Sequence, residues 1–447
     1  MRSQRYVPSH QSKSWTDDLP VCKQSGVGFS TNQVYREDGN RQEEHSFEDR
    51  NFHTKLDAEN LFLYGIFDGN EGQRAVDFCV QRMPVELLFG QLNPSMSDEE
   101  IKDALRQAFL SVEKSYMDSV LDLLALRASF DIPEVAPFFK ESQEMMGINS
   151  ELSSGTAVAI ALIYNGKLYV ANVGNCRVLL CYTDTNYVLR VKQLTVDHDL
   201  KNEDELLRLS QFGINVDKMR ESCVIGNQSA TRCLGNYLIK GEYKDMQDLA
   251  MATHEPIIAE PDIVGGIPIE ESHRFLLLMS AGLYKCVEET KTTDQTNQYI
   301  AQCVVEQFRV QGTLNGVAQS VVDKVARLHH DSYVTDSFTN DGMKREDITL
   351  IVRNFNYPMP NAKSPTVPSI TFNPIVSSTV LSAHSTLTDT YTTAGSAHNG
   401  TSSVSTAKAQ KVATPNERIK SYVDCNEFYK YVKLAKAKGT LPDGLDL

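Results

Sequence analysis

Six short apolar runs, at 60–67, 157–164, 167–172, 177–183, 274–279 and 348–355, alternate or stay continuously hydrophobic, as strands do when they bury one face or both. Between them lie stretches with helical spacing. The clearest starts at Ser97, whose hydroxyl is placed to cap while Glu100 closes a capping box. Ile101, Leu105, Ala108, Val112, Tyr116 and Val120 then recur on one face. Further helices are expected at 203–212, 293–307 and 314–329, and 128–152 reads as an insertion without a clear period. Strands with helices packed outside them point to an α+β layered fold.

Composition narrows the classes of function. The 447 residues, 41% of them hydrophobic, suffice for a large core, and the net charge of −14 argues against nucleic acid, which needs a basic footprint. No leader-like apolar stretch opens the chain. The longest apolar run, 156–164, is about half a membrane span, so no membrane is expected. Nine cysteines without CxxC pairs sit mostly in apolar segments and read as buried thiols of a reduced, cytoplasmic protein.

The globular pattern runs over 15–357. From 358 to 415 Ser, Thr, Pro and Ala dominate, and Asp389 is the only charged residue between Lys363 and Lys408. Such a stretch cannot bury enough apolar surface to offset its ordering entropy and reads as a disordered linker. In 416–447, Asp424 and Glu427 have capping-box spacing, and Phe428, Tyr431, Val432 and Ala435 form a stripe. An amphipathic helix on a tether is a candidate partner-binding element.

Four segments carry the chemistry: GIFDGNEG at 65–72, VANVGNCR at 170–177, FLLLMSAGLYK at 275–285 and REDITLIV at 345–352. They resemble the ordered blocks of the type 2C (PPM) metal-dependent serine/threonine protein phosphatases, which read roughly GVFDGHGG, VANVGDSR, LATDGLWD and DNITVIVV. The resemblance implies two central antiparallel sheets flanked by helices. It also implies carboxylates that hold a metal pair, a water activated by the ions and a cation that orients the phosphate.

Several of the implied positions are substituted. Gln33 stands where an RxxxED-like stretch would carry the phosphate-binding arginine, and a neutral amide cannot give a charge-assisted clamp. Asn70 replaces the histidine implied as general acid. Ala281 deletes a ligand, Asn175 and Asn236 replace further aspartates, and Glu346 is a ligand one methylene too long. Glu37, Asp68, the Gly69 carbonyl and Glu346 remain, either as one weak Mg²⁺ or Mn²⁺ site or as a solvated acidic cluster. His198 reads as a structural histidine, Cys176 as a buried small hydrophobe, and Glu203 and Glu205 as a solvated helix face.

Within the family, Ser14-Trp15-Thr16-Asp17-Asp18-Leu19-Pro20, the substituted site and the Tyr422-Val423-Asp424 helix resemble a pseudophosphatase branch. That resemblance implies an inactive adaptor in cytokine, immune and stress signalling, with no cofactor required. Its partner would be the catalytic domain of TGF-β-activated kinase, a MAP kinase kinase kinase, docked through Tyr422, Val423, Asp424, Cys425, Phe428, Tyr431 and Val432. Other signalling proteins would meet the phosphatase-like domain. Cys425 stands where the branch has a phenylalanine anchor, a deficit of roughly 1–2 kcal/mol. The alternative is a weakly active or atypical Mg/Mn-dependent protein serine/threonine phosphatase.

Overall fold

The computed structural model describes residues 19–35, 42–56, 60–88, 92–130, 143–290, 292–335 and 344–360, all within one compact unit, Met1–Leu381. Nearly all of the expected linker (358–415) and the whole C-terminal segment (416–447) lie outside the described residues, as does Glu37.

The chain opens with strands β1 (Ser25–Ser30), β2 (Gln33–Val34), β3 (Arg50–Leu56) and β4 (Leu61–Asn70). Four helices follow: α1 (Arg74–Leu88), α2 (Asp98–Ser119), α3 (Leu121–Phe130) and α4 (Gln143–Ser153). Strands β5 (Gly155–Tyr164), β6 (Lys167–Val173), β7 (Arg177–Thr183) and β8 (Leu189–Gln193) come next. A smaller region holds α5 (Glu203–Gln211), α6 (Val216–Ser222), β9 (Leu234–Gly235) and α7 (Tyr237–Gly241). The chain then returns through β10 (Asp262–Pro268), β11 (His273–Met279), α8 (Ala281–Glu289), α9 (Thr296–Phe308), α10 (Leu314–Thr335), β12 (Lys344–Arg345) and β13 (Ile348–Asn354).

The major strands form two antiparallel sheets, in the orders β1-β13-β11-β7-β8 and β10-β6-β5-β4-β3, with β9 added beside β5. Strand alternation divides the side chains between layers. On β5, Val158, Ile160, Leu162 and Tyr164 face the helices α1 and α2, while Ala157, Ala159, Ala161 and Ile163 face the other sheet. On β11, Leu276 and Leu278 meet that inner face, while Phe275, Leu277 and Met279 pack under α8, α9 and α10. The result is helix, sheet, sheet, helix: the layered α+β fold expected.

The Ser97 capping box is present in full, and Ile101, Leu105, Ala108, Val112, Tyr116 and Val120 are all buried. The 128–152 segment is not featureless. Within it α4 buries Met145, Ile148 and Leu152, and 131–142 lies outside the described residues. Helix α10 runs past residue 329 because His329, His330 and Tyr333 pack around the Tyr35 ring. Among the described residues, the cysteines are free and all but Cys223 are buried, and no helix is long and apolar enough to cross a membrane.

Candidate functional site

Strand β4 extends to Asn70 by pairing in register with β5, which carries Asp68 to the end of the sandwich. Three chain segments meet it there: the approach to β3, the start of α8, and the turn before β13. Their closeness is set by glycine. A Cβ on Gly282 would lie 2.1 Å from the Asp347 carbonyl oxygen, and one on Gly69 would lie 2.7 Å from that of Glu48.

Asp347 is a structural clamp. Its Oδ1 accepts from the Asn32 amide (2.6 Å) and side chain (2.8 Å), and its Oδ2 from the Glu48 amide (2.7 Å). Asp49 is enclosed, and its carboxyl is pushed well above the usual range by burial and then by the charges of Asp68 and Asp347. The Glu-Asp pair set beside Asp68 is therefore Glu48–Asp49, leading straight into β3. The sequence reading placed that role at Glu37, which lies outside the described residues. Five residues before Asp49, at the spacing of an RxxxED stretch, stands Glu44, a carboxylate paired with Lys344.

Asp68 is itself engaged. Its Oδ2 accepts from the Ala281 amide at 2.8 Å, so Asp68 receives the first helical N–H of α8. Ser280, at the N-cap of that helix, gives its hydroxyl oxygen to the Thr349 amide instead (2.9 Å). One turn into α8, Lys285 Nζ lies 2.8 and 2.9 Å from the two Glu346 oxygens. Burial, and then the Glu346 charge, push the Asp68 carboxyl up to about 7, against the Ala281 amide and Lys285, which pull it down.

Tested against a metal pair, this donor set does not fit. Glu346 is held by an ammonium, one Asp68 oxygen by an amide, and Ala281 offers no oxygen from its side chain. Among the described residues, no group of three His, Cys, Asp or Glu side chains is arranged to hold a metal ion. Lys285 escaped the sequence reading, yet its signal was there: the last letter of the block is aspartate in LATDGLWD and lysine here.

The other substituted positions scatter. Gln33 pairs with Arg345 across the β2–β12 ladder and is half-buried. Asn70 is exposed at the end of β4. The Asn175 carbonyl accepts from the Tyr284 hydroxyl at 3.0 Å, and the Tyr284 ring lies 3.5 Å from the Arg177 guanidinium. Asn236 is buried with a positive φ of 58°, which asparagine tolerates, and its side chain caps α7 while donating to Asn227 and Gln228.

His198 is structural, as read. Its Nδ1 accepts from the Gly174 amide (3.1 Å), which leaves Nε2 to donate to Asp262 (2.7 Å). Cys176 is buried, and burial pushes its thiol well up, which suits a small core side chain rather than a nucleophile. Glu205 corrects the solvated-face reading: it is 1% exposed and bound by Arg208, Arg232 and Thr231.

The sequence pattern of the family described as Protein phosphatase 2C matches residues 27–327. The chain belongs to that family. Over 283 residues it is 29% identical to "Probable protein phosphatase 2C 4" of Paramecium tetraurelia, spanning 63% of this chain and 81% of that protein. Over 300 residues it is 25% identical to "TGF-beta-activated kinase 1 and MAP3K7-binding protein 1" of Caenorhabditis elegans, spanning 65% of this chain and 70% of the relative. Among solved structures, serine-threonine phosphatase 2C from Toxoplasma gondii aligns at a TM-score of 0.48 and 16% identity, covering 76% of this chain and 97% of that one.

Proposed function

We propose that this chain is a catalytically inactive, phosphatase-like adaptor of the cytoplasm. It binds and activates a MAP kinase kinase kinase, the TGF-β-activated kinase, in cytokine, immune and stress signalling. The observation that carries the inactive half is Lys285, whose ammonium holds Glu346 beside Asp68 where phosphate hydrolysis would need carboxylates free for ions. Ala281 and Asn70 add to it, and both Gln33 and Glu44 fail to supply a phosphate clamp. No cofactor is required in this reading.

The kinase half is supported by the name of the C. elegans relative and by the apolar stripe of the tail, whose residues lie outside those described. Tyr422, Val423, Phe428, Tyr431 and Val432 are too apolar for a solvated terminus and suit helix-in-groove docking.

The test pairs two assays. Purified full-length protein with Mn²⁺ is given phosphoserine peptide and an aryl phosphate, with Asp68→Ala as control, and no turnover is expected. Kinase pull-down and kinase activation are then compared between the full chain and a form lacking 417–447, which should lose both. Phe428→Ala should weaken capture, and Cys425→Phe should strengthen it by filling an anchor pocket. Capture and activation undiminished in the truncated form would move the docking surface to the phosphatase-like domain.

A second reading, an atypical Mg/Mn-dependent serine/threonine phosphatase, draws on the carboxylates gathered at Glu48, Asp49, Asp68 and Asp347 and on the names of the Paramecium relatives. Mn²⁺-dependent turnover abolished by Asp68→Ala would establish it and remove the first.

A further inference from the structure

In a pseudophosphatase the acidic end of the sandwich presents a physical problem. Asp49 and Asp347 are buried, Asp68 is partly buried and Glu346 reaches toward water; the four are close enough to act on one another electrostatically, and carboxylates so gathered repel unless a cation answers them. In the family's pattern that cation is a divalent pair. We propose that here it is built into the chain: Lys285 and the N-terminal end of α8 stand in for the ion and hold Asp68 and Glu346 together without metal. This rests on the inactive-adaptor reading and explains how the centre survives it.

Four observations meet at one helix. The Ala281 amide, at the positive end of the α8 dipole, donates to Asp68 at 2.8 Å. The helix does not spend its own N-cap serine on that end, because the Ser280 hydroxyl accepts from Thr349. Four residues after Ala281, on the same helix face, Lys285 reaches both oxygens of Glu346. Lys285 and Asp68 also act on each other: each stabilises the charged form of its partner.

The geometry suits an ammonium better than an ion. Mg²⁺ demands near-octahedral oxygens at about 2.1 Å, whereas an ammonium hydrogen-bonds at about 2.8 Å and needs fewer partners. The looser shell accommodates both departures from the family pattern, the missing oxygen at Ala281 and the longer reach of Glu346. The charges move the same way. Relative to LATDGLWD, the block loses two negative charges and gains one positive, a net change of +3, against the four positive charges that leave with two divalent ions.

The test uses full-length wild type, Lys285→Met and the double variant Ala281→Asp/Lys285→Asp. Each is titrated with MnCl₂ by calorimetry and melted with and without millimolar Mn²⁺ at matched ionic strength. Lys285→Met is expected to melt several degrees below wild type and to regain most of that with Mn²⁺, while wild type stays unmoved. The double variant should bind Mn²⁺ at least about tenfold more tightly than wild type, with a rise in Tm that follows mass action.

Wild type that binds Mn²⁺ as tightly as Lys285→Met would overturn the proposal, since the place would not be filled. So would a Lys285→Met protein that melts like wild type and gains no affinity for the ion. Should Lys285→Met not fold alone, it is refolded in Mn²⁺ and in KCl of equal ionic strength. Recovery only in Mn²⁺ supports the proposal, and failure in both overturns it. Turnover by the wild-type protein would sink the adaptor reading on its own, whatever these titrations give.

Discussion

Glu205, in the small cluster between 199 and 259, is a buried carboxylate, and Asp68, at the end of the sandwich, is a partly buried one. Glu205 has four donors. Arg232 reaches its Oε1 through two nitrogens at 3.0 and 2.6 Å, while Arg208 (2.8 Å) and the Thr231 hydroxyl (2.6 Å) reach its Oε2. Burial pushes its titration up, but those donors outweigh burial and bring it down to about 2. Asp68 is pushed up to about 7 by burial and the Glu346 charge, with one amide and a shared ammonium against them. A carboxylate kept for architecture carries a full set of partners. Asp68 is compensated only in part, and that difference in partners is what sets the two acids apart.

The largest effect that bears on this contrast is expected at Glu205. Glu205→Ala strands Arg208 and Arg232 in a mostly buried setting, and loss of about 3–5 kcal/mol is expected in chemical denaturation. The pH dependence has a definite sign. The folded carboxyl titrates below the unfolded one, at about 2 against 4.5, so its stabilisation is present above about 4.5 and is lost as pH falls toward 2. The variant should lack that part of the acid limb. A loss under 1 kcal/mol would mean that the arginines find other partners.

Asp68 should respond in the opposite direction. Asp68→Asn keeps an oxygen for the Ala281 amide and removes a charge that burial disfavours. At pH 7 and above, it is expected to leave stability unchanged or raise it by about 1 kcal/mol. A loss as large as that expected for Glu205→Ala would erase the distinction between the two acids.

How much of this was legible follows from which residues carry it. Strand periodicity gave the strands and the layered α+β class, because burial pattern along a strand is read without reference to anything distant, while the two antiparallel sheets were implied only by the family resemblance. The Ser97 cap was legible for the same reason, its partner being three residues away. Ala281 was readable as an alanine where LATDGLWD has an aspartate. The Glu48–Asp49 pair was not, because Arg36-Glu37-Asp38 offers the same letters earlier in the chain. Only the pairing of β3 with β4 shows which pair leads into the sheet beside Asp68. Lys285 was visible as a changed letter of its block, but its contact with Glu346, sixty-one residues on, is what local spacing cannot reveal.

Ser97→Ala tests the local kind of legibility. It removes the acceptor for the Glu100 amide and half of a reciprocal box, and should cost about 1 kcal/mol by thermal or chemical denaturation. An effect near zero would mean that water satisfies the helix end as well as the side chain does.

The smallest change is expected two residues from the largest. Glu203 and Glu205 share helix α5, and the sequence places both in one charged run. At 3.6 residues per turn, however, positions two apart lie almost on opposite sides of a helix. Glu203 accordingly faces water with its side chain 78% exposed, pairing with an Arg220 that is itself half exposed, while Glu205 turns inward to two arginines. An ion pair in solvent gains little from Coulomb attraction and gives up side-chain freedom to form, so Glu203→Ala should change stability by no more than about 0.5 kcal/mol. The effect should also fade with added salt. Glu205→Ala should keep nearly its full cost at the same salt, because its partners are shielded from the ion atmosphere. Equal losses at the two positions, or equal salt sensitivity, would show that charge alone governs this helix and that the inward turn of Glu205 contributes nothing.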